Sequence, residues 1–185
     1  MAPVTPIRPM ADGMLIEFFL NEEMCLTGKR LRRVEAAHGD LLACFAVHLP
    51  AIDRDAADRL AADPRNDRPD AAARAVPTER ILEVLPVFLD DPRWHGAELQ
   101  DRRVRMQLAW SLAQWVGRRC DLLGSEPYEA VRAAVRRSHR AVRRVKAEAA
   151  RRDLEERGLL SPALQDLFRE AEERRAREAR GPTGS

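Results

Sequence analysis

The residues best equipped for chemistry in this chain are arginines, and they are concentrated in one place. Between Arg132 and Arg152 stand nine basic residues against a single acid, Glu148. They are Arg132, Arg136, Arg137, Arg140, Arg143, Arg144, Lys146, Arg151 and Arg152. If the segment is helical, its net charge of +8 is spread along roughly 30 Å at ~1.5 Å per residue. Residues 1–125 carry 17 basic and 19 acidic groups, so the chain's overall charge of +2 hides a segregated field.

A guanidinium presents its donors in a planar fork that matches a phosphate or carboxylate. A row of them attracts polyanions and binds them in a salt-dependent way. The sequence therefore points to a nucleic-acid backbone or another polyanion held by Arg132, Arg136, Arg137, Arg140, Arg143, Arg144 and Lys146. Within the stretch no aromatic residue follows Tyr128 until Phe168, so base stacking is not indicated. No helix-turn-helix or zinc-finger pattern accompanies it, so contact would be sequence-tolerant. The competing expectation is that these arginines pair with acids of neighbouring helices, such as Glu79, Glu83, Glu98 and Asp101. Arginine supplies 30 of the 32 basic residues, with only Lys29 and Lys146 as lysines. A GC-rich genome accounts for that number, though not for its placement.

Other constellations are incomplete. Glu35 and His38 have the i, i+3 spacing of helical di-iron carboxylate sites, but a second Glu-x-x-His is missing. Asp53, Asp55 and Asp58 lack the glycine and terminal glutamate of a calcium loop, and Asp53 reads better as a helix N-cap. Gly28-Lys29 lacks the rest of a phosphate loop. Trp94-His95, beside Asp90 and Asp91, is the most site-like cluster left, and reads as a surface corner. Cys25, Cys44 and Cys120 are odd in number and contain no C-x-x-C, which predicts three buried free thiols in a reducing compartment. No catalytic, cofactor or metal residue is assigned.

The elements that must carry these residues read as helices. Ala, Leu, Arg and Glu dominate, and straight side chains lose little rotamer freedom in a helix. Met14–Leu20 fits a buried helix or a short strand. Gly39-Asp40 predicts a helix stop and a new start, and Pro50 a stop. Asp63–Pro77 predicts a loop with almost nothing to bury. Thr78 predicts an N-cap for a helix carrying Ile81, Leu82, Leu85, Phe88 and Leu89, kinked or split at Pro86. Asp91-Pro92 predicts the start of one helix running to Leu123. Gly124-Ser125 then opens a helix whose Tyr128, Val131, Val135, Ser138, Val142, Val145 and Ala149 follow a heptad-like seam. Gly158 ends that helix, and Ser161-Pro162 begins another.

The resulting expectation is an all-α protein: a single bundle of about six or seven helices with a long basic C-terminal helical hairpin. Residues 1–9 form an extended arm and 10–125 the bundle core, with a loop at 63–77. Residues 126–180 form a helical pair packing on or extending from the bundle, and 181–185 a disordered tail. The start lacks the pattern of a signal peptide and no run is long enough to span a membrane, so a soluble cytoplasmic protein is expected. Functionally the sequence favours a non-enzymatic binding subunit that contacts nucleic-acid backbone, within a larger assembly in one version. The alternatives are an adaptor or homodimer using the 128–149 seam, and a helical-bundle enzyme with a pocket between helices.

Overall fold

The structure is a computed structural model and describes residues 10–62, 68–96, 98–159 and 161–179. Those residues contain eight α-helices and no strand: α1 Ala11–Glu23, α2 Gly28–Ile52, α3 Arg54–Ala61, α4 Ala71–Arg74, α5 Ile81–Asp90, α6 Leu99–Arg119, α7 Glu126–Glu156 and α8 Pro162–Ala179. Two 3₁₀ turns, Thr78–Arg80 and Pro92–Trp94, lie between them. The all-α expectation is met, and Met14–Leu20 is helical. The expected arm at 1–9 and tail at 181–185 lie outside the described residues. So does the 63–67 part of the expected loop.

The chain divides into two compact units, residues 1–142 and 143–185. In the first, α2 is the central element and packs against α1, α3, α4, α5 and α6. Its Val34, Ala37, Leu41, Cys44, Phe45 and Leu49 are buried, at the three- and four-residue spacing of one helix face. That stripe runs through Gly39-Asp40 without a break, so the helix does not stop there. A mid-helix glycine costs about 1 kcal/mol, less than burying the residues on either side of it returns. The Asp40 side chain, expected to cap a new helix, instead receives the Arg105 guanidinium. Pro50 likewise falls inside α2, and Pro86 lies inside α5 without splitting it.

Three further boundaries differ from the sequence reading. Ala71, Ala72, Ala73 and Val76 are buried, so the second half of the expected 63–77 loop is a helical turn that belongs to the core. The α1 start is tied to it by Ala11 N–H donating to Val76 O at 3.0 Å. Thr78 opens a 3₁₀ turn that leads into α5 rather than capping it directly. The single helix expected from Asp91 is two elements. Asp91 does accept from the Arg93 N–H at 2.9 Å, but the turn ends at Trp94. Gly96 then takes φ +72°, and α6 restarts at Leu99, its first turn fastened by Asp101 accepting from the Glu98 N–H at 3.0 Å.

Several start signals act as the sequence predicts. Asp53 caps α3 through the Ala56 N–H at 2.9 Å. In the second unit, α7 ends in a Schellman arrangement. Gly158 sits at φ +64°, its N–H reaching Glu155 O and the Leu159 N–H reaching Leu154 O, at 3.0 and 2.9 Å. Beyond it, the Arg151 guanidinium lies 5.2 Å from the centre of the Phe168 ring of α8.

Candidate nucleic-acid interface

Helix α7 positions the basic residues. In its first-unit part Val131, Ala134, Ser138 and Val142 are buried, and the Ser138 hydroxyl donates to Leu89 O at 3.2 Å. At about 100° per residue, Arg136 and Arg140 project roughly opposite that buried stripe. Arg132, Arg136, Arg137 and Arg140 are all exposed there. Arg143, Arg144 and Lys146 are exposed in the second unit.

Two of the seven have carboxylate partners. Arg137 donates to both Asp90 oxygens, at 2.6 and 3.3 Å, and those hydrogen bonds hold its guanidinium above the ordinary arginine range. Arg132 lies 3.3 Å from Glu129 on its own helix. Among the described residues, no carboxylate comes within ion-pair distance of Arg136, Arg140, Arg143, Arg144 or Lys146. The acids expected to neutralise the row are engaged elsewhere or not on it: Glu98 and Asp101 hold Arg33 at 2.5 and 2.8 Å, and Glu83 holds Arg80 at 2.6 Å.

The seam on α7 is covered unevenly. Val131, Ser138 and Val142 are buried and Tyr128 and Val135 half-buried, Tyr128 lying 5.7 Å from the Trp110 ring. Val145 and Ala149 are exposed.

The other candidates resolve into packing. His38 stacks on Phe19 with ring centres 4.0 Å apart, and burial lowers its pKa. Glu35 is exposed. Among the described residues no three His, Cys, Asp or Glu side chains are grouped to hold a metal ion. A cavity of about 290 Å³ lies beside His38, walled by Leu15, Ile16 and Leu42. Both carboxylates at its rim face arginines: Asp12 lies 3.7 Å from Arg74, and Asp70 3.0 Å from Arg68. Trp115 donates to the Met14 sulfur at 2.9 Å and lies beneath the Arg119 guanidinium. Only one of the three thiols is buried as expected. Cys44 is enclosed and pushed up to about 12, mainly by burial, whereas Cys25 is exposed at the end of α1 and Cys120 half-buried.

Trp94 and His95 are half-buried, at a corner where Pro92, Arg93 and Gly96 are exposed. With Phe88, Leu89, Arg102, Arg105 and Ser138 they surround a narrow, partly open cleft with no room for a water molecule. His95 Nε2 lies 3.0 Å from Leu89 O, the carbonyl that Ser138 also uses. Trp94 Nε1, Arg102 Nε and Arg105 Nε are buried without a hydrogen-bond partner. Each of the three belongs to a residue of that cleft, and a buried donor left unmet costs about 1–3 kcal/mol. Nothing in the sequence spacing signals it, because the donors come from a 3₁₀ turn and from one face of α6.

Comparison with known proteins finds no matching family model, no matching curated protein and no matching solved structure. No helix among the described residues is long and apolar enough to cross a membrane.

Proposed function

We propose that this protein is a non-enzymatic helical binding subunit that holds a nucleic-acid backbone on the arginine row of α7. The observation that carries the reading is the set of exposed basic side chains without carboxylate partners among the described residues: Arg136, Arg140, Arg143, Arg144 and Lys146. An exposed arginine whose charge serves stability is expected to sit beside an acid, as Arg137 and Arg119 do. Five along the one helix without one raise the local potential for no structural return. Binding here is directed at phosphates, because the row offers guanidinium forks and no stacking surface.

The test is a fluorescence-anisotropy titration of labelled 20-base-pair DNA and RNA duplexes at low salt. Wild-type protein binds, and the triple variant Arg136→Glu, Arg140→Glu, Arg143→Glu loses at least tenfold in affinity. Equal affinity for the two proteins, or no binding by wild type, rejects the reading.

The adaptor reading retains one supporting observation, the exposed Val145 and Ala149 at the end of the seam. Light scattering tests it: a concentration-dependent dimer abolished by Val145→Asp supports it, and a monomer at every concentration rejects it.

A further inference from the structure

We infer that the half-open cavity between the end of α1, the first turns of α2 and the middle of α6 is a binding site for a free α-amino acid with an aliphatic side chain. Its volume is about 350 Å³, at the small end of the roughly 300–1,000 Å³ that small-molecule sites occupy. Val34, Val104 and Leu108 are buried and, with the half-buried Leu26, give it an aliphatic floor. Glu22, Arg30, Gln107 and Ser111 complete the lining, and most of the surface exposed to the cavity belongs to polar atoms. Helical spacing produces this lining: residues 104, 107, 108 and 111 share one face of α6, and residues 30 and 34 share one face of α2.

The polar side chains are uncommitted. Glu22, Arg30, Gln107 and Ser111 have no hydrogen-bond or ion-pair partner among the described residues. Neighbouring charges are already matched: Arg33, one turn beyond Arg30, is held by Glu98 and Asp101, and Glu17 is held by Arg119. The lining therefore offers one free acid and one free base. A phosphate there would be opposed by Glu22, and a simple amine by Arg30. A ligand carrying both charges satisfies both.

The helix ends set its orientation. Glu22 lies in the last turn of α1, the negative end of the helix dipole, and no basic residue offsets it there. Arg30 lies in the first turn of α2, the positive end, where Thr27 supplies no side-chain cap. An ammonium thus belongs beside Glu22. A carboxylate belongs beside Arg30, whose guanidinium donates two parallel hydrogen bonds to such a group. In an α-amino acid both groups branch from one carbon, and the third branch meets the floor. That floor is built from leucine and valine, so an aliphatic side chain fits and a polar one would lose its hydrogen bonds.

The test is an NMR titration of the isotope-labelled full chain with L-leucine and three analogues. Leucinamide lacks the carboxylate, isocaproate lacks the ammonium, and glycine lacks the side chain. Leucine shifts the amides of Leu26, Arg30, Val104 and Ser111 saturably, with a Kd on the order of 0.1–1 mM for so small a ligand. Each analogue binds more weakly by about tenfold or more. Glu22→Gln and Arg30→Gln alter exposed side chains without partners, so their thermal melts match wild type while leucine binding weakens by about tenfold or more. If either variant fails to fold, the analogues on wild-type protein decide. No saturable shift with leucine, an analogue that binds as well as leucine, or a folded variant that binds as tightly as wild type overturns the inference.

Discussion

Arg137 and Asp90 meet across α7 and α5 at 2.6 Å, while Arg136, one residue earlier, has no carboxylate partner among the described residues. Under the proposed function, the two neighbours separate structure from binding. Arg137→Gln removes a half-exposed ion pair and lowers stability by no more than about 1 kcal/mol. Arg136→Gln leaves stability unchanged and weakens polyanion binding more than Arg137→Gln does. Denaturant melts paired with anisotropy titrations of both variants check this, and the reverse order would reassign the two residues.

Two glycines give opposite outcomes when a methyl group is added. Gly39 lies inside α2 with nothing within 4 Å of a built Cβ, so Gly39→Ala stabilises by about 0.5–1 kcal/mol. At Gly96, φ is +72° and the Cβ would meet Asp101 Cβ at 2.6 Å. Gly96→Ala therefore destabilises by more than about 1 kcal/mol. Chemical denaturation of the pair measures both signs.

Thiol labelling at pH 8 distinguishes the three cysteines. Cys25 is exposed and reacts at once in the native protein. Cys44 is buried and pushed up to about 12, so almost no thiolate is present and it reacts only on unfolding. Cys120, half-buried and shifted upward by burial, reacts more slowly than Cys25. Fast modification of Cys44 would contradict the packing of α2.

Burial holds the folded pKa of His38 below its ordinary value, and His95 shifts the same way for the same leading reason. For a base with a depressed folded pKa, the unfolded chain binds more protons once pH falls below about 6.5. Stability is therefore full above that pH and declines below it. His38→Gln flattens part of the decline in denaturant melts between pH 7.5 and 5. An unchanged slope would place His38 in contact with solvent.

The fold was legible where apolar spacing was long and caps were local. The faces of α5 and α7, the Asp53 cap and the Gly158 stop could all be read from neighbouring residues. Errors arose where tertiary burial outweighed a local signal. Gly39-Asp40 looks like a stop, yet Ala37 and Leu41 keep the buried stripe of α2 continuous across it. Residues 71–76 follow a proline- and charge-rich stretch and their four alanines hide little area each, so they read as part of a loop, but small size is what lets that turn enter the core. Arginine placement on α7 was legible from charge alone. Its lack of partners was not, since that depends on Glu98 and Asp101 being taken by Arg33, far away in sequence. The donors around Trp94, Arg102 and Arg105 were illegible for the same reason: no spacing rule links a 3₁₀ turn to α6 across the Gly96 bend.

The salt dependence of duplex binding tests the central claim most directly. If Arg136, Arg140, Arg143, Arg144 and Lys146 each neutralise a phosphate, log affinity falls against log salt with a slope of about −3 to −5. Each arginine-to-glutamine change in the row then reduces the magnitude of that slope by about 1. A slope near zero, or one that the substitutions leave unchanged, would contradict a phosphate-binding role for α7.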